Sequence, residues 1–224
     1  RSFVSFNLSM TVISSGGFLP TNTLSELLNT RTKEIIFSLV MLLSFFSLFF
    51  TYNLALYKKK GIKFIQEDIY LIFYLLIITF VCFVLIDQSI DFSLIFLAIS
   101  SSISNIGLSM EETPNSLSFI FLILIIIGGS FYSTSSGLRF IKIYSLFKFS
   151  INEMISHAKP KNVFINKLPF SEKNIYLGDF YKYFLTIMVF IISLSTLTSI
   201  LSISGLNLEN AFKLSILTIM NTVN

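Results

Sequence analysis

The chain has 224 residues, 54% of them hydrophobic and 26 of them Phe, with a net charge of +4 and a mean hydropathy of +0.80. Only 12% are charged, against roughly 25% in a typical soluble domain. That balance excludes an ordinary soluble enzyme or a nucleic-acid binder, and the single cysteine, Cys82, excludes a disulfide framework.

Arg1 leads directly into an amphipathic stretch with no signal-peptide pattern, so an internal segment of a longer protein is expected. Residues 3–13 are apolar but too few to span a bilayer, which takes about 20 residues. They end in Ser14-Ser15-Gly16-Gly17-Phe18, followed by Pro20, where a helix cannot continue. A half-length helix running into a hydroxyl and glycine turn reads as a re-entrant pore loop.

Residues 34–57 read as one continuous span, uncharged after Glu34 and about 36 Å long at 1.5 Å per residue. The span stops at Lys58, Lys59, Lys60 and Lys63, which places that end in the cytoplasm. A second span over 69–86, preceded by Glu67 and Asp68, returns outward. The opening pattern then recurs: a short helix over 91–102 runs into Ser104-Asn105-Ile106-Gly107-Leu108, and a polar outer loop follows.

Residues 117–149 form a span broken in its middle. Gly128, Gly129 and Gly137, with Ser130, Ser133, Thr134, Ser135 and Ser136 between them, interrupt two apolar runs before Arg139. Backbone freed from a helix costs several kcal/mol per group in hydrocarbon, so such a stretch must line a cavity or be buried in protein. Residues 151–178 are polar and basic, and read as a cytoplasmic connector with a small hairpin around Asn166-Lys167. A further span covers 180–203, then a third short helix over 207–220 leads into Asn221-Thr222-Val223-Asn224. Placing the connectors inside puts 12 of the 16 basic residues in the cytoplasm, as the positive-inside rule requires.

The expected fold is an all-α polytopic membrane protein built from repeated helix, pore-loop, helix units. The end of one unit covers 1–63, a complete unit 64–150, the connector 151–178, and the start of another unit 179–224. Carbonyls or hydroxyls aimed at one axis replace the water that a cation loses on entering a filter, and glycine permits the backbone angles that aim them.

These motifs resemble the Trk/Ktr/HKT superfamily of potassium transporters, most closely the bacterial TrkH type. Ser14-Ser15-Gly16-Gly17-Phe18 is similar to the family's second filter loop, S-T-G-G-F, and Ser104-Asn105-Ile106-Gly107-Leu108 to its third. The third departs by Leu108 in place of an aromatic residue and by Asn105-Ile106 in place of hydroxyl residues. The run from Ile127 to Arg139 is similar to I-G-G-x-x-G-S-T-x-G-G-I-K, with Phe131 and Tyr132 where small residues are usual, Ser136 for Gly and Arg139 for Lys. Asn221-Thr222-Val223-Asn224 fits the approach to the fourth loop.

The resemblance implies potassium uptake across the cytoplasmic membrane, with the ion as substrate and no cofactor in this chain. It implies an ion-binding filter of Ser15, Gly16, Gly17, Ser104, Asn105, Ile106, Gly107, Asn221, Thr222 and Val223, whose carbonyls would coordinate potassium. It further implies an intramembrane gate of Gly128, Gly129, Ser130, Ser133, Thr134, Gly137 and Arg139. A homodimer in membrane lipid and a cytosolic nucleotide-binding regulatory subunit of the TrkA/KtrA kind would be its partners. A sodium-permeable or non-transporting structural subunit is the alternative.

Plainer readings exist for the same residues. Gly16, Gly17 and Gly107 would serve as ordinary helix C-caps, and Gly128-Gly129-Ser130 as a small-residue packing face. An enzyme is excluded: Ser130 or Ser133 lacks a base, since the only histidine, His157, lies in the connector.

Overall fold

In a computed structural model, residues 2–21, 23–56, 65–85, 91–108, 117–158 and 177–222 are described. They form helices joined by turns and loops, with no strand among them; the expected hairpin and the lysine cluster lie outside them. The helices are α1 (Ser2–Ser14), α2 (Arg31–Phe45), α3 (Leu48–Leu56), α4 (Ile65–Leu85), α5 (Phe92–Ser104), α6 (Ser118–Ile127), α7 (Phe140–Ala158), α8 (Leu177–Ile203) and α9 (Leu208–Ile219). The three short helices expected before the filter-like turns are therefore α1, α5 and α9.

Among the described residues, two helices are long and apolar enough to cross a membrane, over Glu67–Leu85 and Phe180–Ile203. Their outer faces are bare of protein. Phe80 and Val84 on α4, and Leu185, Ile192 and Ile200 on α8, are each more than 60% exposed, as suits a surface covered by lipid or by further protein. By contrast α5 is enclosed: Leu97, Ile99 and Ile103 are fully buried, as are its hydroxyls Ser100 and Ser104. The Ser104 hydroxyl turns back to the Ser100 carbonyl at 2.6 Å, which satisfies it within the helix.

Packing crosses the repeat boundaries. α2, from the first unit, lies chiefly on α5, the short helix of the next. Val12, Phe37, Met41, Leu97, Ile106 and Leu108 form one cluster, so both filter-like turns rest on a single core. A second cluster joins Leu42 and Phe45 to α4, α5 and α6, and a third joins α6 to α9 through Leu122, Ile125 and Ile216.

The span expected as continuous over 34–57 is instead broken at Phe46 and Ser47, between α2 and α3. The cause lies 21 residues downstream. Asp68 accepts the Ser47 backbone N–H at 3.0 Å and the Ser47 hydroxyl at 2.6 Å. The Ser47 oxygen in turn accepts the Phe50 N–H at 3.1 Å, an N-cap that starts α3 afresh. Composition shows only Ser among Phe and Leu here, whereas the break depends on a buried carboxylate brought from another helix.

Asp68→Ala leaves two buried donors of Ser47 without acceptors, so it should lower stability by about 2 to 4 kcal/mol. Thermal unfolding in detergent would measure the loss, and Asp68→Asn should recover part of it.

Candidate functional site

The three short helices end alike. At each, a residue in the left-handed region closes the helix: Ser15 (φ 50°), Asn105 (φ 56°) and Asn221 (φ 54°). Each donates its N–H to the carbonyl three residues back: Ser15 to Val12, Asn105 to Ser102, Asn221 to Thr218. The next residue donates five back, Gly16 to Thr11 (3.1 Å), Ile106 to Ser101 (3.2 Å) and Thr222 to Leu217 (2.9 Å). This paired pattern is the Schellman motif, repeated three times at matched positions.

Two residues beyond the left-handed closure stand Gly17 (φ 69°) and Gly107 (φ 76°). The C-cap reading of these glycines therefore fails, because residues with side chains do that work. The glycines lie further on, where a second positive φ reverses the chain again and reorients successive carbonyls. The matching position after Asn221 is Val223, outside the described residues.

The turns after α5 and α9 come together. Gly107, Leu108 and Thr222 line one cavity of about 210 Å³ with Ser101, Lys213 and Leu217. The turn after α1 borders a separate cavity of about 270 Å³, lined by Thr11, Ser14 and Phe18 among others. Behind the turn after α5, the Ser101 hydroxyl accepts the Leu108 N–H at 2.8 Å and holds the turn against its own helix.

Beside these turns runs the stretch 128–139 between α6 and α7, with Ser136 in contact with Asn105 and Met220. Its two ends are pinned to each other, with Leu138 donating to the Ile126 carbonyl (3.0 Å) and Phe140 to the Gly129 carbonyl (3.1 Å). The loop is thus an excursion from an otherwise continuing span. Gly128 (φ 67°) and Gly137 (φ 98°) form its neck, where a Cβ on Gly137 would come within 2.7 Å of the Gly128 Cα. At Gly129 a Cβ would strike the Phe45 carbonyl at 2.5 Å. Close backbone approach, rather than a helix-packing face, explains this glycine pair.

The excursion docks into the break between α2 and α3. Ser130 donates its N–H to the Phe45 carbonyl (3.1 Å) and Ser135 to the Ser44 carbonyl (3.2 Å), two acceptors left free where α2 ends. Leu48, in the first turn of α3, donates in return to the Tyr132 carbonyl at 3.0 Å. The Glu67 carboxylate accepts the Phe131 N–H at 3.0 Å, and Glu67 itself is almost wholly buried. Arg139, at φ 72°, folds its guanidinium over the loop and donates to the carbonyls of Ser130 and Ser133 (both 3.0 Å) and to the Ser133 hydroxyl (2.8 Å).

Every residue assigned to the gate therefore lies in or at the neck of one docked loop, with Thr134 at its exposed edge and its hydroxyl toward the Ser44 carbonyl at 3.4 Å. Sequence reasoning missed the other half of the assembly: Ser44, Phe45, Ser47, Glu67 and Asp68. The available signal was a pair of adjacent carboxylates at the head of a helix with no other charge.

The fold is an all-α arrangement in which three short helices end in matched turns beside longer apolar helices. Among solved structures the chain is similar to the potassium transporter TrkH from Vibrio parahaemolyticus, with a TM-score of 0.82 at 18% identity. The match covers 99% of this chain and 50% of that one, so the chain spans about half the length of TrkH. No family model and no curated relative matches the sequence.

Gly129→Ala and Gly137→Ala should each lower the unfolding temperature in detergent by several degrees, since backbone must shift to admit the methyl group. Gly178→Ala, where an added Cβ meets nothing within 4 Å, should leave it unchanged or slightly raised.

Proposed function

We propose that this chain carries potassium across the cytoplasmic membrane, through a filter whose backbone carbonyls come from the turns after α1, α5 and α9. The observation that carries the reading is the threefold recurrence of one helix ending, each aiming a short irregular segment away from the C-terminal end of a short helix. Such ends carry partial negative charge, which favours a cation in front of them. Carbonyls at Gly16, Gly17, Ile106 and Gly107 would replace the hydration shell. Ser15, Ser104, Asn105, Asn221 and Thr222 shape the turns that present them, and Val223 would complete the fourth.

The loop 128–139 is the gate in this reading. It hangs inward of the filter turns on a set of hydrogen bonds, and a regulator would open the path by withdrawing it. A cytosolic nucleotide-binding subunit acting on the cytoplasmic connector, and a homodimeric multi-pass assembly in the inner membrane, are part of the same proposal. The similarity to TrkH supports it at the level of fold.

Growth of a potassium-auxotrophic cell at low potassium tests transport: the wild type should rescue and Gly107→Asp should change ion preference. Rescue together with an unaltered preference in Gly107→Asp would refute the filter assignment. For the gate, removal of residues 130–136 should raise basal flux; unchanged or abolished flux in a correctly folded protein counts against it. That deletion also strips Ser44 and Phe45 of their partners, so Glu67→Ala is the milder companion. It removes the acceptor of the Phe131 N–H together with the carboxylate facing Ser130 and Arg139, and should raise basal flux about two- to tenfold, the equivalent of one hydrogen bond.

A further inference from the structure

One hydroxyl joins the gate loop to two filter turns at once. Ser136, near the neck of the loop, accepts the Asn105 side-chain N–H at 2.9 Å and donates its own proton to the Met220 carbonyl. Asn105 is the left-handed residue that closes α5, and Met220 caps α9 immediately before Asn221. The stoichiometry closes: a hydroxyl has one proton to give and lone pairs to receive, and here each finds one partner. The Asn105 amide spends its second N–H on the Ile125 carbonyl at 3.2 Å, in the last turn of α6, directly before the loop departs. Asn105 and Met220 are almost wholly buried, so water competes little for these bonds.

We propose that Ser136 is a positioning residue for the filter: it fixes the third and fourth filter turns relative to each other, and does so only while the gate loop is seated. The inference rests on the transport reading and deepens it. A gate standing free of the filter would alter flux alone. A gate that carries Ser136 cannot leave without breaking the Asn105 and Met220 contacts, so ion discrimination and flux change together. Ser136 touches no ion in this scheme; it acts through the backbone segments that Asn105 and Met220 begin.

The test uses the intact protein in potassium- and sodium-loaded vesicles. Ser136→Ala removes the hydroxyl, and Asn105→Gly removes the amide while keeping the left-handed backbone comfortable. Each should lower the potassium-to-sodium flux ratio about two- to tenfold, and the double variant should fall short of the product of the two single effects, because both delete the shared Asn105–Ser136 bond. Glu67→Ala, which loosens the loop at its far side, should lower the ratio as it raises flux. An unchanged ratio in Ser136→Ala and Asn105→Gly overturns the proposal, as does strict additivity of their effects.

Amide hydrogen exchange over residues 105–108 supplies a readout independent of transport. Faster exchange there in Ser136→Ala than in wild type is expected, and identical exchange refutes the link. If the wild type moves no potassium, the transport reading fails, and the exchange result alone decides whether loop and turns are coupled.

Discussion

Two interruptions of membrane-depth helix satisfy each other, and the rest of the structure follows from that exchange. Where α2 ends, the Ser44 and Phe45 carbonyls have no helical donor; where α6 ends, the amides of Ser130 and Ser135 have no helical acceptor. Either break alone would leave polar backbone in an apolar surrounding, at several kcal/mol per group. Placed face to face, each supplies what the other lacks. Glu67 and Asp68 complete the seam from α4, one taking the Phe131 N–H and the other both donors of Ser47.

That seam also explains why the units are not independent modules. α2 leans on α5, and the loop that follows α6 returns to the end of α2, so the chain forms a closed circuit of contacts across the repeat boundary. The glycines mark the points where this circuit brings backbone against backbone. Gly128 meets Gly137 at the neck and Gly129 meets Phe45 at the seam, each too close for any side chain. Arg139 then closes the loop, its Nη1 nitrogen sharing two N–H groups among the Ser130 and Ser133 carbonyls and the Ser133 hydroxyl and offsetting its left-handed backbone.

The sequence made one side of the seam legible. A run of glycines and hydroxyls inside an apolar stretch marks backbone that must line a cavity or be buried in protein at membrane depth, and the three short helices betray themselves by being too brief to cross. The other side was silent because its signal is not local. Ser44 and Ser47 sit among Leu and Phe in a run whose hydropathy promises one unbroken helix, and the carboxylate that breaks it arrives from Asp68. Glu67 and Asp68 read as a helix start beside a cytoplasmic face, an assignment that composition cannot distinguish from a structural acceptor. The same limit applied to the turns. Glycine drew the eye as the natural left-handed residue, yet Ser15, Asn105 and Asn221 take that conformation, and only their backbone hydrogen bonds reveal the common register.

The helix closures leave room for a repeated unit to diversify. A position held in left-handed geometry by its backbone bonds, and filled by residues with side chains, is free to carry different chemistry in each repeat, while Gly17 and Gly107, two steps on, keep a shared shape in two of them. One unit ends in a short hydroxyl, the next in an amide that reaches α6 and Ser136. In an assembly of four identical subunits any such substitution would be imposed on all quadrants together. A single chain that repeats the unit escapes that constraint, so one copy can acquire a tether to the loop 128–139 while the others keep the freedom to specialise elsewhere.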